Sequence, residues 1–457
     1  MNLVNSTNRR ERNVWNIHGK RYDLTEFLDN HPGGRTILES CKDDNDCTAA
    51  FESYHSMSNM NKIKSIMKKY EIADDMDNNS NNSIQPKYSF DENGFYRTVQ
   101  KRVRDYFNKD PVQISVYSNI QSRMYTNNIS MSHHSNTFFW IKTGCFMIIY
   151  LVLAYFAFFS RIDSTMRTLS SFFAGISVVW VAYNILHDAS HCAISSNNWI
   201  NNTLSRISCS YFLWDHQLWT KHHVYRHHAF TNDPVLDPDA IHLRPFVKKH
   251  AEDKERKFIK LFRRYPKTTT LISMIIFPGS YVGQALLYHL VWLVRKHLWN
   301  MRLPETYKIS LFETVIKLFK LYLLFQSGSI SVVVAYLIAI NMSYFFTIIP
   351  DHDMKQTVDN KLVSTDDKIM DWGESQVRNS GNYATSNPWV TEMYGGINYQ
   401  IEHHLFPTIC NVHYRDISKI VKDTCKEFNI PYVEIDTVYG AVNSVLQNFS
   451  LVEIDNK

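Results

Sequence analysis

The sequence predicts a multi-domain membrane protein, with a small α+β domain at the N-terminus and an all-α integral membrane domain behind it. Three observations support this fold class. The first 76 residues are largely polar and carry short strand and turn patterns. Apolar segments of about 20 residues, the length of a membrane crossing, begin only after residue 137. Histidines are clustered just outside these segments, which predicts a polar cap on one membrane face.

The composition restricts the classes of partner. The 457 residues carry a formal net charge of +5, and no basic-aromatic recognition motif is present, so nucleic acid is not expected as a partner. The seven cysteines are scattered without a Cys-x-x-Cys pair, which indicates thiols in a reducing compartment. The N-terminus lacks the apolar core of a signal peptide, so we expect the residues before the first apolar segment to stay in the cytosol.

Residues 13–76 form the predicted small domain. Val14–Ile17 and the following residues up to Tyr22 have the pattern of two strands joined by a turn. His31 begins a His-Pro-Gly-Gly break that ends a short predicted helix. A second helical stretch, Cys47–Tyr54, leads directly to His55.

The segment between this domain and the membrane has two predicted parts. Residues 77–88 are rich in Asn and Ser and predict a flexible linker with nothing to bury. Residues 89–137 precede the membrane, and Asp91–Phe107 repeats apolar residues every four positions between arginines and a lysine. This pattern predicts an amphipathic helix that either lies on an anionic bilayer or packs on the neighbouring domain.

The membrane domain is predicted to cover residues 138–430, with residues 431–457 as a C-terminal tail. Phe138–Ser160 and Leu169–Leu186 form one predicted hairpin, and Ile309–Gln326 with Ser329–Pro350 form a second. Thr268–Val294 is broken by a Pro-Gly pair and is predicted to lie in the interface. This assignment gives four crossings, of which two lie between the second and third histidine clusters. Because this number is even, all clusters share one face. The 13 Lys and Arg residues between positions 188 and 267 predict that this face is cytosolic.

The histidine clusters indicate a metal centre. His187 and His191 are spaced i, i+4, which places both on one face of a helix. Neutral imidazole is the commonest nitrogen ligand of transition metals, and this number of histidines on one face implies more than one ion. The remaining members are His223, His227 and His228 in the second cluster, His403 and His404 in the third, and His352, which stands alone between them.

The N-terminal motif resembles cytochrome b5. Tyr22-Asp23-Leu24-Thr25 precedes the His-Pro-Gly-Gly motif, and Phe51 stands four residues before His55. The resemblance implies that His31 and His55 are the two axial ligands of a b-type haem. A haem with two imidazole ligands has no open iron position, so it carries single electrons and does not bind oxygen.

The whole pattern is similar to the cytochrome b5-fused front-end fatty acid desaturases. The haem domain is followed by the three clusters in order, and residues 395–407 contain Gln400 where other membrane desaturases have a histidine. The resemblance implies two non-haem irons that use O2, and Gln400 is a candidate catalytic residue. His222 leaves the register of the second cluster open, although His223 keeps the i, i+4 spacing. The implied iron ligands are His187, His191, His223, His227, His228, His352, His403 and His404, with His222 and Asn398 as further candidates, the latter through a water.

The implied reaction is insertion of a cis double bond towards the carboxyl end of a polyunsaturated acyl chain, carried by CoA or a phospholipid. No Gly-x-Gly-x-x-Gly motif is present, so the expected electron source is a separate NADH-cytochrome b5 reductase at the endoplasmic reticulum. The position of the double bond (Δ5, Δ6, Δ4 or Δ8) is open. The alternatives are a sphingolipid Δ8-type desaturase, a b5-fused lipid hydroxylase and a membrane-anchored haem carrier. The many residues after the linker count against the haem carrier.

Overall fold

The computed structural model describes residues 14–42, 46–72, 86–108, 132–242, 289–298, 301–304, 307–359 and 369–451. Within these ranges the protein has a small mixed domain, a bundle of long apolar helices and a histidine-rich cap. Residues 77–85 of the predicted linker and most of the predicted interfacial segment lie outside the described residues. The end of the predicted linker is packed, because Lys87 pairs with Asp233 and Tyr88 contacts a buried apolar cluster.

The N-terminal domain has the predicted mixed character. Strands β1 (Trp15–Ile17) and β2 (Lys20–Tyr22) pair antiparallel, with Trp15 opposite Tyr22. The short helix after them is a 3₁₀ helix, Thr25–Asn30, and His31 follows it in an extended conformation. Three α-helices complete the domain: α1 (Arg35–Cys41), α2 (Thr48–Tyr54) and α3 (Met60–Met67).

The amphipathic helix α4 (Phe95–Asn108) packs between the two domains. Its four regularly spaced apolar residues are all buried, in a core shared with the small domain and the cap. Its arginines also bind protein: Arg97 pairs with Glu52, and Arg102 pairs with Glu427. The helix is therefore a connecting element between domains, so the packed arrangement holds and the bilayer-surface alternative does not.

Three helices are long and apolar enough to cross a membrane within the described residues: Thr137–Phe158, Ser164–Ser190 and Ile330–Thr357. Helix α5 (Thr137–Phe158) exposes one apolar face, as expected for contact with lipid. Helix α6 (Ser164–Ala182) packs against α5 and against α11 (Ile330–Asp353). Close packing depends on Gly175, because a Cβ there would lie 2.5 Å from the Tyr336 carbonyl oxygen.

The predicted second hairpin is present, but its first helix is short. Helix α10 (Leu311–Gln326) has 16 residues, about 24 Å at 1.5 Å per residue, less than the roughly 30 Å of a bilayer core. Its turn lies beside the start of α6, where an Arg167 nitrogen donates to the Ser327 carbonyl oxygen at 2.6 Å. Both hairpin turns are therefore at the end opposite the histidines. Of Thr268–Val294, only residues 289–294 are described, and these are helical.

The cap is built from short helices around the ends of α6 and α11. Strands β5 (Asn382–Tyr383) and β6 (Glu434–Ile435) pair in parallel, and β3 (His297–Leu298) pairs antiparallel with β4 (Met301–Arg302). The cap helices are α7 (Asn198–Tyr211), α8 (His216–Trp219), α9 (Pro238–His242), α12 (Lys355–Asp359), α13 (Trp372–Asn379), α14 (Pro388–Met393), α15 (Gln400–Leu405), α16 (Tyr414–Glu427) and α17 (Val438–Leu451).

The predicted C-terminal tail is part of this folded domain. Residues Ala441 and Val445 of α17 are buried against Phe345 and Ile349 of α11. Strand β6 adds backbone pairing to β5. The described residues from 431 to 451 therefore pack against the membrane domain.

Candidate metal centre

The small domain brings His31 and His55 to one cleft. Their ring centroids are 6.0 Å apart, which leaves room for one iron at about 2 Å from a nitrogen of each ring. His55 donates from Nδ1 to the Phe51 carbonyl oxygen at 2.7 Å, so its Nε2 is left for a metal. Burial lowers the pKa of His31 to about 4, with His55 adding to the shift, and keeps the ring neutral at pH 7. This pair fits a haem with two imidazole ligands.

Each of the first two histidine clusters adjoins a π-helical turn that the sequence did not predict. The predicted i, i+4 relation of the first pair is present, because the backbone N–H of His191 donates to the His187 carbonyl oxygen at 3.2 Å. The turns are Tyr183–His187 at the end of α6 and Thr220–His227 after α8. Because a π-helix is wider than an α-helix, residues four and five positions apart both share a face. The His223 ring centroid is accordingly 5.3 Å from that of His227 and 5.1 Å from that of His228.

One group of four buried histidines draws on all three clusters. A nitrogen of each ring lies within 4.8 Å of those of the others. The ring centroids of His187 and His403 are 4.3 Å apart, although the residues are far apart in the chain. The group consists of His187, His191, His223 and His403.

A second group lies beside it. His227, His352 and His404 bring one nitrogen each within 4.8 Å of the others, and all three are buried. His228 lies between the groups: its ring stacks on His404 at 4.3 Å and its Nε2 is 3.0 Å from Nε2 of His403. The structure thus brings all eight predicted histidines together, seven of them in two adjacent groups and His228 between the groups, enough for two metal ions.

The nitrogen atoms at the centre have the arrangement expected around a cation. Nε2 of His227 is 3.1 Å from Nε2 of His352, and Nε2 of both His191 and His404 is buried and makes no hydrogen bond to the described residues. Facing lone pairs are stabilised by a shared proton or metal. Burial, reinforced by the neighbouring imidazoles, lowers the pKa of each ring and favours the neutral form that binds metals. This holds for His191, His223, His228, His403 and His404.

The outer nitrogens are held by residues that the sequence did not indicate. A ligating imidazole commonly binds a carboxylate, amide or carbonyl oxygen through its second nitrogen, which fixes the ring and its tautomer. Such partners have no motif because they come from separate segments. They are Asp237 for His227 (3.2 Å), Gln376 and Thr231 for His404 (both 3.0 Å), the Asn379 carbonyl for His352 (2.9 Å) and Tyr414 for His403 (3.0 Å).

The three less certain candidates have different surroundings. His222 turns to Asp239 at 2.6 Å and is absent from the histidine groups of the described residues. Asn398 donates from Nδ2 to the Tyr383 carbonyl oxygen, and its buried Oδ1 makes no hydrogen bond to the described residues. Gln400 places Nε2 2.9 Å from Nε2 of His352. Gln400 therefore borders the second group, whereas His223 occupies the position that His222 does not.

Comparison with known proteins assigns this centre to a family. The fatty acid desaturase model matches residues 164–436, which include all eight clustered histidines. The chain belongs to the fatty acid desaturase family. The model of the cytochrome b5-like haem/steroid binding domain matches residues 3–76 of this desaturase. The desaturase is therefore an oxidoreductase of the membrane that uses O2, a haem and a di-iron centre.

Curated relatives match over most of their length. The chain is 27% identical to an acyl-lipid (8-3)-desaturase of Physcomitrium patens, over 94% of this chain and 85% of the relative. It is 25% identical to a probable Delta(5) fatty acid desaturase C of Dictyostelium discoideum, over 96% and 92%. It is 26% identical to an sn-1 linoleoyl-lipid 6-desaturase of Synechocystis, over 77% and 93%. The resemblance to b5-fused front-end desaturases is thereby confirmed.

Proposed function

We propose that this desaturase is a front-end enzyme that inserts a cis double bond between an existing double bond and the carboxyl end of a polyunsaturated acyl chain. The observation that carries the proposal is the haem domain docked directly on the eight-histidine centre. The names of the relatives support Δ5 or Δ6 selectivity, because they include (8-3), Delta(5) and 6-desaturases. The acyl carrier is either CoA or a phospholipid.

We infer that the two groups of histidines hold one iron each, with His31 and His55 as the haem ligands. Bound iron supplies the oxygen chemistry needed to break unactivated C–H bonds, which protein acids and bases cannot do. The histidines hold the metals in a buried site that excludes water. Their ring orientations are maintained by the hydrogen bonds of Asp237, Gln376 and Tyr414. Gln400, beside His352, is proposed to help shape the centre.

The proposed electron source is an NADH-cytochrome b5 reductase at the endoplasmic reticulum. The haem domain provides a one-electron carrier, and the Asn- and Ser-rich composition of residues 77–85 supports a tether between it and the membrane domain. The basic residues between positions 188 and 267 support a cytosolic orientation of the cap.

Feeding experiments test the proposal. The full chain is expressed in a host that has its own b5 reductase, and the host is fed linoleic or dihomo-γ-linolenic acid. Gas chromatography–mass spectrometry is expected to detect a product with one additional double bond on the carboxyl side. New Δ8-unsaturated sphingoid bases, with unchanged fatty acids, would instead assign the enzyme to sphingolipids.

A further inference from the structure

Helix α2 of the haem domain ends against the iron site. Its last residue, Tyr54, places its hydroxyl oxygen 2.6 Å from Nδ1 of His191 and 2.7 Å from the carbonyl oxygen of Val224. The rings of Tyr54 and His191 are nearly parallel, with 12° between their planes and 6.0 Å between their centroids. A residue of the haem domain thus contacts a proposed iron ligand of the membrane domain.

The hydrogen-bond pattern assigns the tautomer of His191. A phenol has one proton, and the Val224 carbonyl oxygen can only accept, so the Tyr54 hydroxyl donates to Val224. Nδ1 of His191 must then carry the proton that it donates to the Tyr54 oxygen. Nε2 of His191 keeps its lone pair. It is buried among the ligand atoms of the first group and makes no hydrogen bond to the part of the chain that the structure describes. This is the tautomer that binds a metal through Nε2.

The position of Tyr54 is fixed from both sides. Before it, Glu52 accepts hydrogen bonds from both terminal nitrogens of Arg97 at 2.6 and 2.7 Å. After it, Arg104 donates to the carbonyl oxygen of Ser56 at 2.5 Å and to that of Ser58 at 3.1 Å. Helix α4 therefore holds the end of α2 against the cap, and Tyr54 reaches His191 only while the haem domain is docked.

We propose that Tyr54 is a positioning residue of the di-iron centre, supplied by the haem domain, and that it orients His191 for one of the two irons. The inference rests on the proposed ligand role of His191. The haem domain then has a second task beside carrying electrons, because its docking completes the hydrogen bonding around one iron. Since Tyr54 precedes the axial ligand His55, the same docked segment serves both metal sites.

The test is the Tyr54→Phe variant of the full enzyme, which keeps the ring and removes only the hydroxyl. Iron loss to a chelator is followed over time, together with the Mössbauer spectrum of enzyme loaded with ⁵⁷Fe. Loss of a residue that orients a metal ligand typically costs 10–100-fold in metal affinity. We expect one of the two irons to be lost about 10–100-fold more readily, with one iron signal changed and the haem content equal to that of wild type.

Tyr22→Phe is the matched control, because Tyr22 is a buried tyrosine of the same domain that lies near Glu71 and Lys20. It is expected to retain both irons. Wild-type iron retention in Tyr54→Phe would overturn the proposal, and so would equal weakening of both irons together with loss of haem, which indicates general unfolding. Failure of the proposed function is distinguishable, because the wild-type enzyme would then lack iron or a desaturated product.

Discussion

The haem cleft and the di-iron centre both use imidazoles, but they are built over different distances in the chain. In the haem cleft, the proposed ligands His31 and His55 are 24 residues apart, and His55 is held by a carbonyl of its own helix. In the di-iron centre, the proposed ligands run from His187 to His404, and side chains from other segments hold several of them. One of these side chains, Tyr54, belongs to the haem domain.

This difference teaches that the haem cleft is a local unit, whereas the di-iron centre depends on the whole fold. A change in the cleft should remain in the cleft. A change in the docking of the two domains should weaken iron binding, because the hydrogen bond from His191 to Tyr54 crosses the domain interface. The following predictions test this asymmetry.

The largest effect is expected for His404→Ala, which removes a ligand from the second group and leaves its partners Gln376 and Thr231 without the ring. Losing the ligand itself should cost more than the 10–100-fold typical of a supporting residue, so we expect a fall in activity of more than about 100-fold. Activity assays and iron analysis measure it, with the exposed His297→Ala as control. Full activity of His404→Ala with two irons bound would contradict the di-iron assignment.

A conditional loss is expected for His31→Ala. Without this axial ligand the haem domain should lose its haem absorption and its ability to carry electrons. The iron content should remain that of the wild type, because Tyr54 still reaches His191. Added free cytochrome b5 should restore part of the activity. Loss of iron together with haem would show that the cleft is not a local unit.

The smallest effect is expected for Glu52→Gln at the domain interface. Hydrogen bonds to charged groups contribute about 1.5–3 kcal/mol, so we expect the docked state to open at least about 10-fold more often. Hydrogen exchange at the amides of α2 measures this opening, and the exposed Glu26→Gln is the control. Unchanged exchange would show that Glu52 does not hold the domains together.

The ionisation of the Glu52 carboxylate predicts how the docking of the two domains depends on pH. Burial alone would raise the pKa of Glu52, but hydrogen bonds from His18 and Arg97 outweigh it and lower the pKa to about 2. The pKa of Glu in an unfolded chain is about 4.3, so this contribution is complete above that pH and is lost as the pH falls towards 2. In wild type, hydrogen exchange of α2, corrected for its intrinsic pH dependence, should rise as the pH falls from about 4.3 towards 2.

Much of the fold was predictable because its signals are local. The apolar segments predicted α5, α6 and α11 to within a few residues, and the four-residue repeat predicted the buried face of α4. The π-helical turns were not predicted, because four-residue spacing is compatible with both helix types and tertiary packing selects the wider one. Helix α10 begins two residues after the predicted Ile309, because the Ser310 side chain caps it by accepting a hydrogen bond from the Glu313 backbone N–H.

The sequence by itself determined the chemistry of the protein: two haem-type histidines, three clusters of imidazoles and the apolar segments that carry them. Only the tertiary structure decided which nitrogens face one another, which residues hold the outer nitrogens and where the haem domain docks. The reason is physical. The identity and spacing of residues fix what a segment can bind, whereas the position of Tyr54 against His191 depends on packing between residues 137 positions apart, which no local pattern records.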